Sequence, residues 1–317
     1  MVVEDRWLRD TYVDLLLEYA AKDERIVLVE ADLARAAGTL RFREQYPERM
    51  VDVGVAEANM VGVAAGMAAM GKIPFAHTFT PFMSRRACDQ VTLSVAYTGL
   101  NVRLVGSDPG ITAELNGGTH MSMEDVAIMR SIPGMVVFEP TDSTQLREAF
   151  PHLLKYQGPI YIRLLRRNAA KVFRECTGDF QLGKGVLLRE GKDITLVASG
   201  IMTAETLDAA DLLEKEGISA EVINIHTVKP LDEELILRSA RKTCAVVTAE
   251  NGSILNGLGS AVAECLSEKE PTILKRVGVQ DSFGEVGLTD YLKERFGLTA
   301  SAVADAAREC IMRKARK

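Results

Sequence analysis

The sequence predicts an α/β fold: a parallel-sheet domain with helices on both faces, followed by a smaller α/β domain. Three observations lead there. Short apolar runs alternate with stretches of helical spacing along most of the chain. The runs are apolar throughout, as strands covered on both faces must be. The alternation fades over 168–184, where polar residues gather, and then resumes. Residues 1–170 are therefore read as the first domain, 171–184 as a linker and 185–317 as the second. A chain of 317 residues accommodates two domains of ordinary size.

The elements follow in order. Residues 8–21 read as a helix, and Ile26-Val-Leu-Val opens a strand over 26–32 that ends in a polar turn. A short strand is expected at 51–54, a helix rich in small residues at 59–70, and a strand at 73–77. A helix over 85–96 and a strand over 101–105 come next. Ser122 and Asp125, three apart, resemble a helix-capping pair. A strand at 135–138, a helix at 143–154 and a strand at 160–164 complete the first unit. In the second, strands are expected at 194–197, 220–225, 245–248 and 273–277, and helices at 203–215, 232–241, 254–266 and 301–312.

Composition narrows the function. With 47% hydrophobic and 26% charged residues, the chain is globular rather than disordered. A net charge of −6 argues against a nucleic-acid backbone binder while leaving room for a local basic pocket. The most apolar stretch, 61–70, is shorter than the ~20 residues a membrane span needs. The N-terminus is acidic and lacks the apolar core of a signal peptide. The five cysteines are scattered, odd in number and without a CxxC pair, which suits a reducing compartment. A cytoplasmic protein without membrane or nucleic-acid partners is expected.

In open parallel sheets, functional groups gather beyond the C-terminal strand ends. Several polar clusters of this sequence fall there. Glu57 follows the strand at 51–54 and opens a small-residue helix, whose N-terminus favours a carboxylate. It is either an N-terminal helix charge or a chemical carboxylate. Gly62 and Gly66, on one helical face, would let another element approach closely. Phe79 and Phe82 form either an apolar wall for a flat ligand or ordinary core. Arg85, Arg86, Asp89 and Gln90 can build a polar network after them. His120 follows the Gly117-Gly118 turn and can exchange a proton near neutral pH. His226 and Lys229 read as a strand cap or interface pair. Glu250 with Gly252, Gly257 and Gly259 reads as a turn before a closely packed helix.

At these residues the sequence resembles the C-terminal half of transketolase, as found in split, two-polypeptide versions. Gly54-Val-Ala-Glu57-Ala-Asn resembles the pattern around the family's cofactor-activating glutamate. The segment from Phe79 through Phe82 to Gln90 resembles its pyrimidine-pocket motif, and Asn116-Gly-Gly-Thr-His120 its Asp-Gly-x-Thr-His loop. Arg163-Leu-Leu-Arg166 occupies the place of its distal phosphate-binding arginine. Ile225 to Asp232 and Glu250 to Gly259 match patterns of its C-terminal domain.

The resemblance implies a pyrimidine-binding domain followed by the transketolase C-terminal domain. It implies thiamine diphosphate as cofactor, with Glu57 bonded to the pyrimidine, Phe82 stacked on it, and Phe79, Asp32 and Arg85 in or near the pocket. His120 and Asn116 would meet the sugar, and Arg166 with Arg163 its distal phosphate. His120 and Glu57 are the expected catalytic pair. No Gly-Asp-Gly diphosphate motif occurs in suitable context, and no metal ligand is assigned within the chain. An N-terminal transketolase subunit is therefore expected to bring the diphosphate site and Mg²⁺, in an assembly of two long and two short chains.

The implied reaction transfers a two-carbon ketol unit from a ketose, expected as a sugar phosphate, to an aldose. Two departures bear on the sugar: Asn116 replaces the usual loop aspartate, and Asp108 stands near a position where many members carry a substrate-binding histidine. An unusual, sulfonated or branched ketose thus stays open. The beta component of a 2-oxoacid dehydrogenase shares the domain order and is the main alternative; a catalytically weakened partner subunit is the other. The Arg-Arg-Ala-Cys-Asp-Gln stretch and the Thr-His loop favour transketolase.

Overall fold

The computed structural model describes residues 1–316; residue 317, the last of the expected second domain, lies outside them. The strands are β1 Val3–Trp7, β2 Ile26–Glu30, β3 Met50–Asp52, β4 Ile73–Phe79, β5 Arg103–Ser107, β6 Val136–Phe138, β7 Ile160–Leu164, β8 Asn168–Ala170, β9 Val186–Arg189, β10 Ile194–Ala198, β11 Ala220–Asn224, β12 Thr227–Lys229, β13 Ala245–Ser253 and β14 Ile273–Val279. Seven form one sheet in the order β12-β6-β7-β5-β4-β2-β3, and five form a second in the order β14-β13-β10-β11-β9. Both are parallel except at β12 and β9, which pair antiparallel at an edge.

Every residue of β2, β4, β5 and β7 is buried, which explains their largely apolar character; Glu30, His77, Arg103 and Arg163 are buried with them. Helices Leu8–Ala20 and Ser143–Lys155 cover one face around Phe42, Phe75, Phe138 and Phe150. Helix Glu57–Ala69 and the segments after β4 and β5 cover the other. That second core continues through Ile223, Val228 and Leu235 into the second domain, so apolar burial couples the two units.

Two expectations change. First, 85–96 is not one regular helix: π-helical turns at Phe82–Arg86 and Val91–Ala96 flank a short helix at Cys88–Gln90. Hydroxyls compete for the ladder there, with Ser84 Oγ donating to the Thr80 carbonyl and Thr92 Oγ1 to that of Cys88, each at 2.8 Å. Such bulges cluster at functional sites. Second, Ser122 does not cap a helix. Helix Asp125–Ser131 has Glu124 at its N-cap position and no side-chain cap, so Ser122 lies too early to cap it, and the Asp125 carboxylate is engaged by Arg163 and Tyr161. His226 precedes β12 and Lys229 ends it; this second-domain segment extends the first domain's sheet, in keeping with an interface role for the pair. Lys229 Nζ donates to the carbonyls of Arg130 and Ile132. Elements with little apolar signal of their own, such as the β1–β8 pair and helix Thr289–Phe296, escaped the sequence reading.

Candidate active site

Strand register assembles the site. Phe79, Ser107 and Leu164 lie side by side at the ends of β4, β5 and β7, so the chain leaves all three strands at one level. β2 and β3 end beside them, with Glu30 opposite Asp52 and His77.

Glu57 is the first residue of helix Glu57–Ala69 and is only 2% exposed. Its Oε1 accepts a 2.7 Å hydrogen bond from Arg86, while Oε2 is buried without a partner. A buried carboxylate oxygen left unpaired is costly, so this oxygen could accept a hydrogen bond from a bound group. The Arg86 guanidinium also lies 4.0 Å above the Phe82 ring, joining the carboxylate to the aromatic wall. Phe82 and Phe79 sit with centroids 6.1 Å apart, and His120 meets both edge-on at 5.3 and 6.0 Å. His120 Nδ1 is 2.9 Å from Thr119 Oγ1.

The His120 loop depends on its glycines. Gly117 has φ +75°, and a Cβ on Gly118 would collide with the Gly284 carbonyl of the second domain. Asn116, just before them, is exposed. Asp32 is also exposed, at φ 58° beyond β2, with its N–H donating to Asp52 Oδ1 at 2.9 Å.

The arginines divide differently from the sequence reading. Arg85 pairs with Glu124 at 3.1 Å and donates to the Thr119 carbonyl. It braces the His120 loop, and its neighbour Arg86 is the one that reaches Glu57. The π-helical turn after Phe82 sets which of the two faces the pocket. Arg163, expected beside Arg166 at the sugar, is instead buried, with 1% of its side chain exposed. It donates to Asp125 at 2.7 and 3.1 Å, to Glu139 at 2.7 Å and to the Asn251 carbonyl at 2.5 Å. Burial opposes its charge, but Asp125 and Glu139 outweigh that and hold it protonated. Its donors are consumed in pinning the two domains together.

Arg166 does point toward the pocket, 5.8 Å from the Phe79 ring, with Nε 3.0 Å from Asp108 Oδ2. Asp108 is 1% exposed at φ 56°, and neither of its oxygens gains an aligned hydrogen bond. Burial pushes its carboxyl up to about 6, against the pull of Arg166 and Arg167. Asn251 clamps the adjoining turn, accepting from Ile111 N–H at 3.0 Å and donating to the Pro109 carbonyl at 2.9 Å.

Sequence reasoning missed Glu139 and the convergence of Asp125 and Asn251 with it on Arg163, having read Asp125 only as a helix-capping residue. An arginine at the end of a wholly apolar strand was the one available signal that buried carboxylates await it. Glu250 does shape a turn: it accepts from the N–H groups of Leu258 and Gly259, and a Cβ on Gly257 would overlap its carboxylate. Among the described residues, no cluster of three His, Cys, Asp or Glu side chains is arranged to hold a metal, and no helix is long and apolar enough to cross a membrane.

Comparison with known proteins agrees with this geometry. Residues 7–171 match the family model of the transketolase pyrimidine binding domain, and 183–303 that of the transketolase C-terminal domain. The chain is 68% identical over 312 residues to the 6-deoxy-6-sulfo-D-fructose transketolase subunit SqwH of Clostridium sp. (strain MSTE9), covering 98% of this chain and 97% of that one. It is 41% identical to a transketolase C-terminal section of Methanocaldococcus jannaschii, covering 94% of each. A solved split-gene transketolase, an inactive β4 tetramer, superposes with a TM-score of 0.87 at 43% identity, covering 96% of this chain and 98% of that one. The chain belongs to the transketolase family and unites its pyrimidine-binding and C-terminal domains in one subunit.

Proposed function

We propose that this chain is the pyrimidine-side subunit of a split transketolase that moves a two-carbon ketol unit from an anionic ketose to an aldose. The observation that carries the reading is the buried, unpaired Oε2 of Glu57, whose other oxygen is fixed by Arg86 beside an aromatic wall. This arrangement fits thiamine diphosphate, which when bound supplies the electron sink for breaking a bond next to a ketone carbonyl.

Within the chain, Glu57 accepts a hydrogen bond from the pyrimidine and favours the protonated ring. Phe79 and Phe82 give the ring an apolar wall and exclude water. His120 holds a sugar oxygen near the reacting carbon and exchanges its proton. Asn116 adds a neutral hydrogen bond from the loop, while Asp32 and Arg85 line the approach and brace it. Arg166 pairs with the ketose's distal anion. A sulfonated ketose is the favoured donor, given the name of the 68% identical relative, and a phosphate the competitor.

A second subunit supplies the diphosphate site and Mg²⁺ in an α2β2 assembly. Helix Glu57–Ala69 supports a missing partner. Gly62 and Gly66 face open space, and Val55, Met70, Leu93 and Tyr97 nearby are exposed apolar side chains. The inactive β4 tetramer of the solved relative agrees with a short chain that lacks activity alone.

The test is reconstitution with a diphosphate-binding subunit, Mg²⁺ and thiamine diphosphate, followed by ketol transfer from 6-deoxy-6-sulfofructose and fructose 6-phosphate to short aldoses. Transfer is expected only from the two-subunit complex. Equal transfer by this chain alone, or none from any ketose by the complex, refutes the reading.

A further inference from the structure

We propose that Asp108 sets the charge specificity of the Arg166 site, so that the pocket favours a ketose ending in a monoanion, such as a sulfonate, over one ending in a phosphate dianion. The inference rests on the ketose-binding reading above and deepens it.

The geometry is that of two arginines already matched by two carboxylates. Arg166 Nε lies 3.0 Å from Asp108, and Arg167 lies 2.7 Å from Glu114. The remaining cation facing Asp108, Arg9, pairs with Asp10 and donates to the Ala36 carbonyl. The charges that Arg166 and Arg167 bring are thus cancelled one for one before any ligand arrives. A ligand on Arg166 must therefore also face the Asp108 carboxylate. A sulfonate brings one negative charge at any working pH, whereas a phosphate monoester near neutrality carries about 1.5 to 2.

Asp108 cannot easily swing away to relieve this repulsion. Its N–H donates to the Leu164 carbonyl at 3.1 Å, and Asn251 clamps Pro109 and Ile111 on its other side. Its backbone lies at φ 56°, in the left-handed region, and its side chain is only 1% exposed, which limits the rotamers open to it. With its carboxyl near 6, it is ionised at about pH 7.5, where the repulsion acts. One added charge about 6 Å away, through an effective dielectric of about 20, changes affinity on the order of a hundredfold. Relative to a neutral residue in its place, Asp108 thus weakens binding of the phosphate against a monoanion by about tenfold to a hundredfold, offsetting the pull of Arg166 on the extra charge.

The experiment compares three donors on the reconstituted complex: 6-deoxy-6-sulfofructose, fructose 6-sulfate and fructose 6-phosphate. The sulfate ester has the shape of the phosphate ester and the charge of the sulfonate. Wild type should use both monoanionic donors with similar kcat/KM and the phosphate less well, chiefly through KM. Asp108→Asn should raise the phosphate's kcat/KM relative to the sulfate ester's by about tenfold or more. A general loss of structure would lower all three together and leave their ratios unchanged.

If wild type discriminates against the sulfate ester as strongly as against the phosphate, shape decides and the proposal fails. It fails equally if Asp108→Asn folds and leaves the ratio unchanged. No turnover of any of the three by wild type would instead overturn the ketose-transfer reading itself. The wild-type comparison stands even if the variant does not fold.

Discussion

Replacing Arg163 by leucine should unfold the chain more easily by an amount the structure lets one estimate. The side chain makes four hydrogen bonds, to Asp125, Glu139 and the Asn251 carbonyl, and all three partners are buried. Removing one member of a buried ion network costs about 3–5 kcal/mol, because the abandoned charges stay desolvated. Two details set the value near the lower end. Asp125 keeps the Tyr161 hydroxyl at 2.8 Å, and Glu139 keeps that of Ser199 at 2.8 Å. The expected loss of about 3 kcal/mol corresponds to a fall in Tm of roughly 4–5 °C for a chain of 317 residues. Urea unfolding followed by circular dichroism and by the fluorescence of the single tryptophan, Trp7, measures it from two vantage points. Adding Glu139→Gln to Arg163→Leu should cost less than the sum of the two single changes, since the second removes a charge that the first strands. A loss below about 1 kcal/mol, or strict additivity, would refute the account of Arg163 as a buried domain pin.

Two further outcomes are expected. Glu57→Gln keeps the helix and the Arg86 contact possible but removes the charge offered to the pyrimidine. In the complex it should slow exchange of the cofactor's C2 proton by about 10²–10⁴-fold with assembly intact, and unchanged exchange would count against the role. The pair Glu30 and His77, 3.8 Å apart at the strand ends, governs a pH dependence. Burial pushes the Glu30 carboxyl up to about 8, against a hydrogen bond from Thr39, and pulls His77 down to about 3, so both are neutral at pH 7 and form no salt bridge. Because the folded pKa of Glu30 is raised, its contribution is fully present below the unfolded value near 4.5 and is lost as pH rises through about 8. Glu30→Gln should therefore stabilise the chain relative to wild type at alkaline pH, with the gap closing toward pH 4.5 in urea titrations; a constant gap across that range would sink this.

Sequence alone determined the layered α/β architecture, because the signal for a doubly covered strand is local. Ile26-Val-Leu-Val and Ile160-Tyr-Ile announce burial without help from distant residues. It also singled out Glu57, Phe79, Phe82 and His120 as candidates, since they follow strand ends visible in the pattern, while Arg166 was singled out only by the resemblance to transketolase. Tertiary structure alone decided how the polar side chains are used. Whether Arg85 or Arg86 meets Glu57 turns on π-helical turns created by hydroxyl–carbonyl bonds, which residue spacing does not encode. Arg163 and Arg166 are three residues apart and look alike in sequence. One is buried among Asp125, Glu139 and Asn251, and the other sits beside Asp108 at the pocket. Such partners converge from points scattered along the chain. An arginine's fate is set by which carboxylates reach it and how much water they exclude, and both are properties of the packed molecule.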